Sequence, residues 1–246
     1  MYSIVSKVVG AVPKIIKEDQ NFNLNVNSIM QNINDSTKVI YIASPNNPTG
    51  TYLPRDQIVK LMQNISKNII VVIDGAYVEY VEKEDYDKGF SLSDQFDNII
   101  LTRTFSKTYG LAALRIGWCY TSQRVADIIK KIKPPFNTTS ISQDLAIIAL
   151  EDTKYIDKII KLNSDIKTWF ENELKNLNIK IRTTEGNFTL IETSIEGANK
   201  ISNHLEKDGI IIRRLDSYGL SNFLRISIGT KDEMEQTINS LKKLYE

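Results

Sequence analysis

Three nearly continuous apolar runs constrain the fold of this chain most: Lys38-Val-Ile-Tyr-Ile-Ala-Ser44, Asn68-Ile-Ile-Val-Val-Ile-Asp74 and Asn98-Ile-Ile-Leu-Thr-Arg103. Each has strand length and is rich in β-branched residues, which suits strands of a sheet covered on both faces. Leu114 to Thr121 reads as a fourth strand. Leu53 to Asn64, opened by Pro54 and Asp56, has the spacing of a helix between the first two strands. Such alternation of strand and helix is the pattern of an α/β fold with a mostly parallel sheet. Helices are expected at 122–132 and 139–150, broken by Pro134-Pro135. A long helix is expected over about 153 to 177, with Ile156, Ile159, Ile160, Ile166, Phe170 and Leu174 near helical spacing. The texture then changes. Strands at 179–182, 187–192, 210–214 and 223–228 interleave with helices near 197–208 and 231–245. A domain boundary is placed near 150, dividing a large α/β unit (1–150) from a smaller C-terminal α+β unit (151–246).

The 246 residues suffice for a sizeable core, and 41% hydrophobic with 25% charged residues is an ordinary globular balance. A net charge of +1 gives no field to gather nucleic acid or an anionic membrane. The lysines at 130, 131 and 133 read as a solvated last helical turn, where cations suit the dipole. Cys119 is the single cysteine, so no disulfide framework exists, and a reducing, cytoplasmic compartment is expected. In its apolar surroundings Cys119 reads as a small buried hydrophobe. The single histidine, His204, lies on an amphipathic stretch without the company that a zinc site or a Ser-His-Asp triad needs, and is expected at the surface. No metal site is expected. No window of ~18 apolar residues is present to span a membrane, and the first ten residues lack a signal-peptide cleavage pattern.

Ligands of parallel sheets gather at the carboxyl ends of the strands. Three polar segments fall there: Ser44-Pro-Asn-Asn-Pro-Thr-Gly50, Asp74-Gly-Ala-Tyr77, and Thr104-Phe-Ser-Lys107 followed by Arg115. Alone, each has an ordinary reading as a turn, a helix cap or a solvated loop. Together they match what pyridoxal 5'-phosphate requires. That cofactor needs a lysine amine for its aldehyde and a carboxylate to keep its ring nitrogen protonated. It also needs donors at its phenolic oxygen and a cationic, hydroxyl-rich cradle for its phosphate.

These segments, with Arg103-Thr-Phe-Ser-Lys-Thr-Tyr-Gly-Leu-Ala-Ala-Leu-Arg-Ile-Gly117, resemble the class I/II pyridoxal-phosphate-dependent aminotransferases, and within them the histidinol-phosphate aminotransferase branch. The likeness continues through Glu185-Gly-Asn-Phe188, Gly209-Ile-Ile-Ile-Arg213, Ser217-Tyr-Gly-Leu220 and Phe223 to Thr230. It implies a fold-type I transferase with an incomplete large domain. It also implies a homodimer acting on a small amino donor and a 2-oxo acid such as 2-oxoglutarate. By the resemblance, Lys107 forms the Schiff base and moves the proton between the substrate α-carbon and the cofactor. Asp74 pairs with the ring nitrogen, and Asn47 and Tyr77 donate to the phenolic oxygen. Thr104, Ser106 and Arg115 hold the phosphate. Arg225 grips the acidic end of the substrate by a two-pronged contact. Arg213 makes a second substrate-phosphate contact, although Arg214 could act from the opposite strand face.

Two departures stand out. Gly75 occupies a position where many relatives have Glu, and only a local backbone effect is expected. Relatives also carry an upstream stretch with a glycine-rich phosphate loop, an aromatic that stacks on the pyridine ring and a tyrosine lent by the neighbouring subunit. The resemblance therefore implies a truncated large domain, with Tyr2 close to the stacking position but not aligned with it. Three other outcomes stay open: an aromatic amino acid aminotransferase, a β-lyase or decarboxylase on the same scaffold, and a non-catalytic fragment.

Overall fold

The computed structural model describes residues 2–245; residues 1 and 246, which end the two expected units, lie outside the described residues. Two four-stranded sheets organise the chain. The first runs β1 (Val39–Ala43), β2 (Ile70–Asp74), β3 (Ile99–Thr104) and β4 (Gly117–Thr121) in that spatial order. Strands β1, β2 and β3 are parallel, and β4 closes the row antiparallel to β3. The second sheet holds β5 (Lys180–Arg182), β6 (Phe188–Glu192), β7 (Arg213–Arg214) and β8 (Phe223–Ser227), all antiparallel, in the order β5-β6-β8-β7. A 24-residue helix, α7 (Thr153–Asn176), runs between the two.

Preceding α7 are α1 (Tyr2–Val8), α2 (Val26–Gln31), α3 (Arg55–Gln63), the short α4 (Phe90–Ser93), α5 (Gln123–Ile132) and α6 (Ser140–Glu151). Helices α8 (Ile195–Lys207) and α9 (Lys231–Tyr245) follow it. The caps explain several of these boundaries. Asn25, Thr139, Asp152 and Ser194 each accept hydrogen bonds from first-turn amides of the helix they precede. Ser194 starts α8 at Ile195, two residues before the expected onset. Helices α1, α2 and α4 are four to seven residues long and were not expected from periodicity, which needs a longer window to register.

Apolar burial forms two main clusters. One joins Ile42, Val71, Ile73, Ile99 and Leu101 of the first sheet to Ile58, Leu61 and Met62 of α3 and to Val26 and Ile29 of α2. The other packs Phe170 and Leu174 of α7, Ile201 and Leu205 of α8, and Ile238 and Leu241 of α9 on Ile191, Leu224 and Ile226.

The fourth strand departs from its expected form. Residues 112–114 make a 3-10 turn, Arg115 takes the left-handed conformation (φ 51°), and the strand begins only at Gly117. A side chain at Gly117 would place its Cβ 2.6 Å from the carbonyl oxygen of Arg103, so only glycine admits this pairing. Strand β4 lies at the end of the row with Gly117, Cys119 and Tyr120 exposed. Double-sided coverage does not extend to it, nor to β1 at the opposite end of the row, where Val39 and Tyr41 are exposed, and Cys119 is exposed rather than buried. The expected strand over 210–214 shrinks to Arg213–Arg214, because the ladder with β8 covers only those two residues and Ile211 is exposed. His204 is half-buried, its Nε2 against the Ser240 carbonyl at 2.9 Å. The lysines at 130, 131 and 133 are exposed around the end of α5.

Phe170→Ala empties a fully buried site and is expected to destabilise the chain by roughly 3–5 kcal/mol. Ile148→Ala, at an exposed position on α6, is expected to change it by less than ~0.5 kcal/mol. Denaturant unfolding followed by circular dichroism checks both.

Candidate active site

The register of the first sheet aligns the strand ends. Ala43 pairs with Asp74, and Asp74 with Thr102, so the turns after β1, β2 and β3 emerge side by side. The turn after β1 is built tightly. Ser44-Pro45 and Asn47-Pro48 are cis, Gly50 N donates to the Asn46 carbonyl at 2.7 Å, and Asn46 N donates to Thr51 at 2.7 Å. Gly50 has φ 74°, and a Cβ there would fall 2.3 Å from Cβ of Thr184. The Gly50 carbonyl accepts from Glu185 N at 2.7 Å, which brings the loop between β5 and β6 onto this turn. That loop is held from behind by Lys167 of α7, whose ammonium donates to the Thr184 carbonyl. Burial pushes the Lys167 amine below the usual lysine range.

Asn47 joins the two sheets. Its Nδ2 donates to the Tyr77 hydroxyl at 3.2 Å, and its Oδ1 accepts from Arg225 Nη1 at 2.5 Å. Tyr77 is buried, with Phe188 edge-on to its ring at 5.4 Å and the Lys107 ammonium 5.2 Å from its ring centroid. Arg225 lies 5.4 Å over the Phe188 ring, and its buried Nε has no hydrogen-bond partner among the described residues. An unpartnered buried donor is costly to maintain and marks a place where a ligand could accept. Arg213 stands directly opposite Arg225 in the β7–β8 ladder, so the two share one sheet face. Arg214 points to the other face, where it is committed to Asn199 and to Asp216 (2.8 Å); the hydrogen bond from Arg214 holds the Asp216 carboxyl down at about 2. Of the two arginines, only Arg213 thus shares the face of Arg225.

Beyond β3, the Thr104 hydroxyl accepts from Ser106 N at 3.1 Å and shapes the loop that presents Lys107. Arg115 is exposed; its Nη1 donates to the Ala112 carbonyl at 2.8 Å and reaches Ser106 Oγ at 3.5 Å. Asp74 is half-buried, and its Oδ2 accepts from the Tyr2 hydroxyl at 2.6 Å. Among the described residues its Oδ1 receives no hydrogen bond.

Gly75 proves to have a packing role. A Cβ there would lie 2.3 Å from Arg103 Nη1 and 2.5 Å from a Val78 methyl. The buried Arg103 guanidinium donates to the carbonyls of Thr102 and Lys88, and burial shifts its pKa downward. Three contributors were given no role from the sequence: Tyr2, on a seven-residue helix; Arg103, at the head of the Lys107 motif; and Glu18, in a connecting segment. Glu18 accepts from Asn46 Nδ2 at 2.9 Å beside a cavity of about 150 Å³ bounded also by Tyr2, Tyr41 and Tyr52. Desolvation pushes its carboxyl up to about 7.

A model of the family described as "Aminotransferase class I and II" matches residues 1–241. The histidinol-phosphate aminotransferase of Pelagibacter ubique is 38% identical, the alignment covering all of this chain and 69% of that protein. That of Rhodospirillum centenum is 35% identical over 98% of this chain and 67% of its own length. Among solved structures, histidinol-phosphate aminotransferase from Sinorhizobium meliloti in complex with pyridoxal-5'-phosphate superposes with a TM-score of 0.90 at 24% identity, over 99% of this chain and 67% of that one. The chain thus spans about two thirds of the length of the relatives it matches.

Gly50→Ala combines left-handed strain with overlap against Thr184, and is expected to cost roughly 2–4 kcal/mol by denaturant unfolding. Glu18 binds its proton more tightly in the folded chain, so its contribution is full below the unfolded value near 4.5 and is lost as pH rises towards about 7. A plot of unfolding free energy against pH is expected to fall across that window in the native chain and to flatten there in Glu18→Gln.

Proposed function

The chain belongs to the class I and II aminotransferases, and we propose that it is a pyridoxal-phosphate-dependent transaminase passing an amino group between histidinol phosphate and a 2-oxo acid such as 2-oxoglutarate. One observation carries this reading. A single sheet edge gathers an amine at Lys107, a carboxylate with an open oxygen at Asp74, and the coupled Asn47 and Tyr77 side chains, with the Arg225 guanidinium on Asn47.

The residues fit the cofactor by the chemistry of their donors and acceptors. Asp74 Oδ1 is an acceptor for a protonated ring nitrogen, and Asn47 and Tyr77 lie beside each other as donors for a phenolic oxygen. Thr104, Ser106 and Arg115 offer hydroxyls and a guanidinium for a phosphate. Bound there, pyridoxal phosphate supplies an aldehyde for the substrate nitrogen and a conjugated ring that takes up the electron pair left at the α-carbon.

Asp74 holds the proton on the ring nitrogen, so the ring stays an effective sink. Asn47 and Tyr77 fix the ring's rotation. Lys107 would hold the cofactor through its amine and, once the substrate nitrogen took its place at the aldehyde carbon, would move a proton at the substrate α-carbon, acting as base and acid in turn. Arg225 binds the acidic end of the substrate through its unpartnered Nε and exchanges its contact with Asn47 for the incoming anion. Arg213, directly across the ladder, adds the second cation that a phosphate ester favours. The names of the relatives point the same way. A homodimer fits the exposed apolar side chains of α6, among them Ile141, Ile147 and Ile148. The lone exposed thiol of Cys119 is in keeping with a reducing cytoplasmic setting.

Added pyridoxal phosphate is expected to give a visible absorption band that Lys107→Ala abolishes. Turnover should drop on the order of 10³-fold or more in that variant, as for loss of a general base and covalent attachment together. An unchanged band in Lys107→Ala would sink the cofactor assignment. Single-turnover rates are expected to favour histidinol phosphate over tyrosine and phenylalanine; equal or faster reaction with the aromatic amino acids would move the assignment to an aromatic aminotransferase.

A further inference from the structure

The mechanism above leaves Tyr2 unused, yet this side chain makes the single hydrogen bond that the Asp74 carboxylate receives among the described residues. We propose that Tyr2 is a positioning residue: its phenol locks the Asp74 carboxylate in the rotamer that turns Oδ1 towards the ring nitrogen of the cofactor. This inference rests on the cofactor reading just given.

Three observations place Tyr2 in this role. Its hydroxyl lies 2.6 Å from Asp74 Oδ2, the short range of a charge-assisted O–H···O⁻ bond. Its ring is stacked on Tyr41, with centroids 5.0 Å apart and planes 10° from parallel, so the hydroxyl is held rather than free to swing. Tyr41 is itself fixed by the sheet. It pairs with Val72 on the neighbouring strand, and Val72 and Asp74, two residues apart on β2, share a face. The platform and the carboxylate therefore project from the same side of adjacent parallel strands.

The chemistry of the donor suits the task. A phenol gives one proton to one oxygen and brings no charge, so it fixes a carboxylate without neutralising it. Burial against Tyr41 and the nearby Asp74 charge push the Tyr2 hydroxyl far above its ordinary value, so it remains a donor throughout the working pH range. A terminal carboxylate otherwise rotates over a broad torsional range. Holding one oxygen selects one orientation for the other, and pre-organisation of this kind appears as cofactor affinity.

The test compares the native chain, Tyr2→Phe, Asp74→Asn and the double variant, each titrated with pyridoxal phosphate by absorbance and by quenching of intrinsic fluorescence. Circular dichroism and thermal melting accompany each titration. Tyr2→Phe keeps the stacked ring and removes only the hydroxyl. It is expected to weaken cofactor binding by roughly tenfold, the size of one hydrogen bond to a charged group. It is also expected to shift the pH midpoint of the visible band, and to change neither quantity further in the Asp74→Asn background. Tyr41→Leu, which removes the platform while leaving the hydroxyl, is expected to weaken binding by a smaller factor. A native-like affinity and pH midpoint in Tyr2→Phe would overturn the inference while leaving the cofactor reading intact. Equal losses from Tyr2→Phe with and without the Asp74 carboxylate would also overturn it, since the hydroxyl would then act by another route. Failure of the native chain to bind pyridoxal phosphate would remove the cofactor reading and this inference with it.

Discussion

Everything at the candidate site depends on the in-step register of three parallel strands. Ala43, Asp74 and Thr102 stand abreast, so the segments that follow them leave the sheet together. Without that alignment Asn47, Tyr77 and Lys107 would belong to unrelated loops. With it, a carboxylate, an amide, a phenol and an amine share one edge. Burial of Ile42, Val71, Ile73, Ile99 and Leu101 against α2 and α3 secures this alignment, because a one-residue slip would turn these side chains towards the wrong face.

The second sheet contributes less to the core of the site than to its far wall. Its loop over 184–186 meets Gly50, and Arg225 reaches across to Asn47. The amide of Asn47 thus has one end on a residue of the first sheet and the other on a residue of the second. A side chain that would hold the cofactor is therefore oriented by a side chain that would hold the substrate. Arg225 over Phe188, with Phe188 edge-on to Tyr77, repeats the same connection in apolar contacts.

Much of this was legible in the sequence, for reasons that are local. The runs at 39–43, 70–74 and 99–104 announced strands through composition, and the polar residues after them announced turns. The nine candidate residues could be named because each sits inside a recognisable segment. What was hidden is non-local. Tyr2 belongs to a helix too short for periodicity to reveal and meets Asp74 across seventy-two positions. Cys119 looked buried because its neighbours are apolar, but an end strand leaves such neighbours uncovered. The strand over 210–214 contracted because hydrophobicity alone does not provide a pairing partner; Ile211 is apolar and still exposed. Arg214 and Arg213 were equivalent on paper until Asp216 and Asn199 claimed one of them.

The glycine at position 75 has a consequence for the electric field at the site. Because nothing projects from its Cα, the Arg103 guanidinium can lie buried against it, within Coulombic range of Asp74, Glu79 and Asp87. One positive group is thereby buried beside Gly75, the residue next to Asp74. The missing side chain fixes the place of a charge twenty-eight residues further along the chain. Asp74 consequently carries a phenol at one oxygen and lies within the field of a buried cation, an environment set by the fold itself.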